Sequence, residues 1–184
     1  MLTKEEKREL LEELKKELYE AQKVYVEVCR ENVELPKYAN IGDAGMDVRA
    51  AEDVTLMPGE TKIIPTGLKM AIPSGYEIQV RPRSGLSLKT PLRIANAPGT
   101  IDSGYRDEIG IVMTNTSNTD ESINQYSINE KGNKNGSYLI KTGDRVAQIV
   151  LCKYEKIEFE PVAKGYVKTI GINRGGGFGS TGTK

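Results

Sequence analysis

The sequence predicts a mostly β domain preceded by one amphipathic α-helix, and three observations carry that expectation. The first two dozen residues are dominated by Glu, Lys and Leu at helical spacing, the apolar pattern switches to strict alternation at Val24, and short alternating runs then recur between Pro-Gly, Ser-Gly and Asn-Gly dipeptides. Helix and half-buried strand have periods of about 3.6 and 2 residues, so the switch marks a structural boundary. A chain of 184 residues with 38% hydrophobic content suits one domain plus an appendage. The expected division is a helical assembly element over 1–23, a β-domain over 24–170 and a glycine-rich C-terminal lid over 171–184.

The helix is expected from Thr3 to about Lys23. Thr3 and Glu6 form a Thr-x-x-Glu capping box, and Glu12 precedes Lys16 at the i,i+4 spacing that supports exposed helices. Leu11, Leu14 and Leu18 make an apolar stripe that Leu10 and Tyr19 widen. One reading of the stripe folds it back on its own domain; the other makes residues 3–22 a face for self-association or a partner. The near-uniform Glu, Lys and Leu usage is that of idealised design practice, which raises the reading of an added or engineered assembly helix.

In the first strand Val24, Val26 and Val28 share one face, with Tyr25, Glu27 and Cys29 on the other, and Leu35-Pro36 ends the run. Short strands follow at Val54–Leu56, Thr61–Pro65, Leu68–Ile72 and Tyr76–Val80, punctuated by Pro58-Gly59 and by the Pro73 to Gly75 turn. This spacing indicates an all-β sandwich or barrel. Leu86–Leu88 fits either one helical turn or an extended segment. Asn96 to Tyr105 holds Asp102 between two turn dipeptides, with Tyr105 expected to open the next strand; Ile109–Thr114 continues it. Residues 115–135 are polar and read as a loop insertion, Asn135-Gly136 is a type I′ hairpin signal with Tyr138–Ile140 as the returning strand, and Val146–Leu151 is a buried strand interrupted by Gln148.

Composition narrows the chemistry. Lys plus Arg equal Asp plus Glu at 26 each, so net charge steers the chain neither to nucleic acid nor to an anionic membrane. There is no histidine, which excludes Ser-His-Asp and Cys-His catalysis and His-based metal sites, and Cys29 and Cys152 alone cannot build a zinc cage. No secretory h-region, bilayer-length apolar run or lipidation signal is found, so a reduced cytoplasmic protein is expected, with a Cys29–Cys152 disulfide disfavoured. Carboxylates, hydroxyls, basic groups and backbone remain. Asp102 on its tight turn could align or deprotonate a water. Arg81, Arg83, Ser84 and Gly85 combine positive charge, a hydroxyl and an unhindered N–H suited to phosphate oxygens. The tail fits the dinucleotide fingerprint at Gly177, Gly179 and Gly182, but nothing follows that could form a βαβ unit, so a glycine-rich lid around a phosphate chain is the better account.

Five ordered segments give these residues a common context: Asp43 to Ala50 (DAGMDVRA), Arg81 to Leu86 (RPRSGL), Asn96 to Tyr105 (NAPGTIDSGY), Gly143 to Gln148 (GDRVAQ) and Arg174 to Gly182 (RGGGFGSTG). Together they resemble the five motifs of the trimeric dUTP pyrophosphatases (dUTPases). The resemblance implies a distorted jelly-roll or β-clip-like domain, a homotrimer whose active sites are shared between subunits, and hydrolysis of dUTP to dUMP and pyrophosphate. It implies that Asp102 positions the attacking water, with Ser84 and Gln148 completing the catalytic set; that Arg83, Ser84, Gly85, Gln148 and Arg174 contact the triphosphate; that Asn96 and the backbone at Gly99 read the uracil edge; and that Tyr105 packs on the deoxyribose and leaves no room for a 2′-hydroxyl. Phe178 would stack on the base, with Gly179, Ser180 and Thr181 closing over the phosphates. Asp47 is expected as a structural anchor beside the phosphate site, Asp144 and Arg145 as braces of the trimer, and Mg²⁺ as a passenger on the substrate phosphates rather than in a protein cage. Two rivals stand beside this reading: a dCTP deaminase-related enzyme, and a trimeric scaffold in which the helix does the useful work.

Overall fold

The computed structural model describes residues 3–18, 21–118, 124–130, 132–173 and 175, with the side chains of 12–18 outside that set. The first helix, α1 (Lys4–Leu18), begins as its capping box dictates: the Glu6 amide donates to Thr3 Oγ1 at 3.2 Å and the Thr3 amide to Glu6 Oε2 at 2.7 Å. Residues 21–24 are not helical, so the helix stops short of Lys23. Leu10 and Leu11 are exposed on it.

Beyond the helix the chain is a succession of short strands. In order come β1 (Tyr25–Val28), β2 (Met46–Arg49), β3 (Val54–Leu56), β4 (Thr61–Pro65), β5 (Leu68–Ala71) and β6 (Tyr76–Arg81). One helical turn and a half, α2 (Ser84–Lys89), follows, then β7 (Leu92–Ile94), β8 (Gly99–Ile101), β9 (Gly110–Asn115), β10 (Gln125–Ser127), β11 (Ser137–Ile140) and β12 (Arg145–Lys153). The Leu86–Leu88 stretch is therefore helical. The fold is mostly β and jelly-roll-like, as expected, with sheets ordered β1-β5, β10-β11-β3, β4-β9-β7 and β2-β12-β6-β8. Alternation along β9 turns Ile111 and Met113 into a core shared with Val146 and Ile149 of β12, which is buried on both faces, and with Leu56, Ile64, Tyr138 and Ile140.

One buried amide ties three segments of that core. Asn115 Nδ2 donates to the carbonyls of Leu56 at 3.1 Å and Gly136 at 2.8 Å, while its Oδ1 accepts the Ser117 amide at 3.0 Å. Those bonds bear on two expectations that the structure corrects. Asn135-Gly136 makes no type I′ hairpin: Asn135 has no positive φ, which that turn needs at both central residues, and the Gly136 carbonyl is spent on Asn115 and Ser117. The returning strand β11 pairs antiparallel with β3 and parallel with β10, a strand inside the stretch read as loop.

Contacts group Met1–Tyr154 into one compact unit and Glu155–Lys184 into a second. Within the second, the described part holds a 3₁₀ turn at Tyr166–Thr169, with Phe159 and Ile172 exposed. Cys29 and Cys152 are free thiols.

Candidate active site

Four of the five motif segments converge on one sheet. In the order β2-β12-β6-β8, the first segment supplies β2, the fourth β12, the second the exit of β6, and the third β8. Pro82 has no N–H to extend the ladder, and the chain leaves β6 there to enter α2, with Arg83 extended (φ −87°, ψ 125°) as its cap and Ser84 and Gly85 in the first turn. Arg83 reaches back across the sheet: its Nε lies 2.8 Å from Asp47 Oδ1, and its Nη1 donates to the Arg145 carbonyl at 3.1 Å. Arg145 Nη1 approaches the other Asp47 oxygen at 3.4 Å. Asp47 is thus an internal anchor that holds one guanidinium on each oxygen.

Gln148 stands in register between Asp47 and Arg81. Its Nε2 donates to the Pro82 carbonyl at 2.9 Å, so the polar residue in an otherwise apolar strand uses a backbone partner. Its Oε1 sits against Gly45, where an added Cβ would come within 2.6 Å; the glycine makes room for this amide. Around these groups lie two clefts that share Arg49 and Arg145. One, of about 440 Å³, is lined by Asp43, Gly45, Asp47 and Gln148 among others, and a second of about 350 Å³ by Arg83, Gly85, Lys89 and Asp144 among others. The second cleft sets Arg49, Arg83, Lys89 and Arg145 against Asp144, so even with Asp47 bound to Arg83 and Arg145 its balance of charge is positive and suited to an anion.

The turn after β8 is a separate assembly. Gly99 is buried opposite Val80, and a side chain there would crowd Asn96 Nδ2 at 3.3 Å and Val80 at 3.4 Å. Asn96 itself is exposed. Asp102 is exposed, and its carbonyl accepts the Tyr105 amide at 3.0 Å to close the turn; Arg106 Nη1 caps the same loop through the carbonyls of Ser103 and Tyr105. Tyr105 lies in this turn rather than opening a strand, which starts only at Gly110. Its hydroxyl donates to the Glu108 carbonyl at 2.9 Å, leaving the ring partly exposed.

Two residues near the turn escaped the sequence reading. The Glu108 carboxylate takes a forked pair from Arg30, Nε at 2.7 Å and Nη2 at 2.9 Å, and also the Gly67 amide at 2.7 Å. Arg30 Nη1 extends to Glu52 at 2.7 Å. Burial pushes the Glu108 carboxyl up, but the Arg30 and Gly67 bonds outweigh it and leave the group below the usual glutamate range; the same pairing raises Arg30. Arg30 and Glu108 are 78 residues apart and sit just outside strand ends, so no local pattern could have paired them.

Within one chain the two assemblies do not meet. Gln148 is level with Arg81, whereas the β6–β8 register runs Val80 with Gly99 and Ile78 with Ile101, so Asp102 falls beside Glu77. Four residues of strand separate the two levels, about 14 Å at roughly 3.4 Å per residue. Arg83, Ser84, Gly85 and Gln148 form one group, and Asp102 with Tyr105 another. Arg174, Phe178, Gly179, Ser180 and Thr181 lie outside the described residues. Among the described residues no three His, Cys, Asp or Glu side chains gather as a metal site, and the hydrogen-bond donors at the cleft lined by Arg83, Gly85 and Lys89 are cationic or neutral, complementary to phosphate oxygens.

Fold and site define a histidine-free β-domain with a cationic cleft suited to phosphate. The family profile for dUTPase matches residues 31–128. The chain is 46% identical over 157 residues to a deoxyuridine 5′-triphosphate nucleotidohydrolase of Finegoldia magna, covering 84% of this chain and 96% of that protein, and 46% identical over 164 residues to the one from Fusobacterium nucleatum, covering 87% and 98%. Among solved structures, a point mutant of the Staphylococcus bacteriophage 80alpha dUTPase with dUpNHpp superposes with a TM-score of 0.77 at 33% identity, covering 88% of this chain and 99% of that one. A mutant dUTPase from phage phi11 of S. aureus, whose structure reveals the coordination of a structural Mg(II) ion, gives a TM-score of 0.71 at 32% identity, covering 78% and 99%. The chain belongs to the dUTPase family.

Proposed function

We propose that the protein hydrolyses dUTP to dUMP and pyrophosphate in a homotrimer whose active sites are shared between subunits. The observation that carries this reading is the separation on one sheet of the Asp102 turn from the Gln148 end. Both groups are built, neither is complete, and a second copy of the chain supplies what each lacks. In a cyclic trimer every such pairing is satisfied by the next subunit.

In the proposed reaction the Asp102 carboxylate aligns a water and accepts its proton as the water oxygen bonds the α-phosphorus. The anhydride bond to the β-phosphate breaks, and pyrophosphate leaves with the electron pair. Arg83, Ser84, Gly85 and Gln148 hold the phosphate oxygens as charge moves onto them, and Arg174 pairs with the γ-phosphate. Asn96 and the Gly99 backbone read the base edge, and Tyr105 packs on the sugar where a 2′-hydroxyl would clash. Phe178, Gly179, Ser180 and Thr181 close the site from the 171–184 segment, which acts as a lid on the 24–170 domain. Mg²⁺ bound to the triphosphate offsets its charge; this chain's contribution is the cationic cleft that receives the phosphates. Two free thiols suit a reducing cytoplasm.

The exposed Leu10 and Leu11 of α1 support a second role for the 1–23 segment, contact with another copy or a partner. Pyrophosphate release from dUTP, dTTP, dCTP and UTP with Mg²⁺, run with wild type and Asp102→Asn, tests the main reading. Release from dUTP alone, lost in the variant, is expected. Ammonia release from dCTP would favour a deaminase, and no release from any nucleotide would leave the β-domain as a scaffold for the helix.

A further inference from the structure

We infer that Arg30 is a positioning residue for the nucleoside end of the site, acting through Glu108 to set the height of the Tyr105 ring; the inference rests on the dUTP reading for its substrate. The chain of contacts is short and continuous. Arg30 forks onto both Glu108 carboxylate oxygens at 2.7 and 2.9 Å, the Glu108 carbonyl receives the Tyr105 hydroxyl at 2.9 Å, and the Tyr105 amide closes on the Asp102 carbonyl at 3.0 Å. A planar guanidinium on a carboxylate fixes distance and orientation together, which a lysine at the same place does not.

The anchor end is rigid. Glu108 Oε1 also receives the Gly67 amide at 2.7 Å, the Gly67 carbonyl accepts the Cys29 amide at 2.9 Å, and the next residue, Ile109, is locked by its amide to Leu68 and by its carbonyl to Thr66 Oγ1 at 2.7 Å. Gly67 has φ +70°, and a Cβ there would collide with Val33 Cγ2 and meet Arg30 Cβ at 3.3 Å. The exit of β1, the β4–β5 turn and the start of β9 therefore meet at Glu108. By contrast the Tyr105 ring has no other side-chain hydrogen bond among the described residues; its single tether is the Glu108 carbonyl. A clamp placed there governs how closely the ring can approach a sugar without touching it. Its proper readout is discrimination between deoxyribose and ribose, not stability alone.

The test uses the full chain with Arg30→Gln, Glu108→Gln, the pair together and Arg30→Lys. Arg30→Gln is expected to lower the ratio of kcat/KM for dUTP over UTP about tenfold, equivalent to roughly 1.4 kcal/mol of differential binding, mainly through KM for dUTP. Glu108→Gln should match it, the double variant should be no worse than either because one clamp is being opened, and Arg30→Lys should fall between. Hydrogen exchange at the Tyr105 amide, which needs no turnover, is expected to speed up in both glutamine variants. An unchanged ratio with unchanged exchange overturns the inference, as does loss of stability and rate with the ratio preserved. Should Arg30→Gln not fold, Arg30→Lys and Glu108→Gln carry the same readouts. A wild type inactive on dUTP would sink the activity reading, while amide exchange would still decide whether Arg30 holds the turn.

Discussion

Gly45→Ala separates the structural from the functional work of Gln148. The added methyl would sit 2.6 Å from Gln148 Oε1 and 3.5 Å from Val150 Cγ2, so the amide, being the free end of a flexible side chain, must swing away. That breaks its 2.9 Å bond to the Pro82 carbonyl, a loss of about 0.5–1.5 kcal/mol for a neutral hydrogen bond. Gly45 is not among the positive-φ glycines, so alanine fits the backbone and stabilises by about 0.4–1 kcal/mol through the unfolded state. The two nearly offset. A net change within about 1 kcal/mol moves the melting temperature by less than roughly 4 °C in a domain of this size. Turnover should behave differently, because a hydrogen bond to a charged phosphate oxygen contributes about 1.5–3 kcal/mol, or about 10- to 150-fold in kcat/KM. Calorimetry beside pyrophosphate release from dUTP measures both. Full activity with a melting point lowered by more than about 8 °C would refute the reasoning and make Gln148 a prop for the β6–α2 corner.

Asn115→Ala should be the costliest polar truncation in the core: it leaves the Leu56 carbonyl and the Ser117 amide without their bonds to Asn115, and strips Gly136 of one donor. At about 1–3 kcal/mol for each unsatisfied group, a loss of roughly 3 kcal/mol or more is expected from urea unfolding, with the slope unchanged. Glu108 predicts a pH signature. Its folded pKa lies below the ordinary 4.5, so the unfolded chain binds more protons across that window and stability falls as the solution is acidified through it. Melting curves of wild type against Glu108→Gln should show an advantage that is full above the ordinary glutamate value and disappears at lower pH.

Local chemistry was legible where neighbours in sequence decide the outcome. The Thr3–Glu6 box, the alternating strands and the turns around Asp102 follow from spacing of a few residues, and the ordered motif segments named the family. What escaped depends on distant partners. Gln125–Ser127 is only three residues, and it forms a strand because β11 lies beside it; Asn135-Gly136 carries a hairpin signal that Asn115, 21 residues earlier, overrides by capturing the Gly136 carbonyl. Gln148 was legible as a polar residue in need of a partner, but the choice of Pro82 required the sheet order. Arg30 and Glu108 were invisible for the same reason, since a salt bridge across 78 residues leaves no periodicity behind.

The half-strand offset between Asp102 and Gln148 has a genetic counterpart. A gene whose product completed its site within one chain would yield null alleles that never rescue one another. In the proposed trimer, an allele encoding Asp102→Asn and another encoding Gln148→Ala would damage different parts of a site drawn from more than one chain. Expressed together and mixed at random, about a quarter of the sites in the proposed trimers would receive both intact halves, so two silent alleles in one cell would restore partial function that neither gives alone.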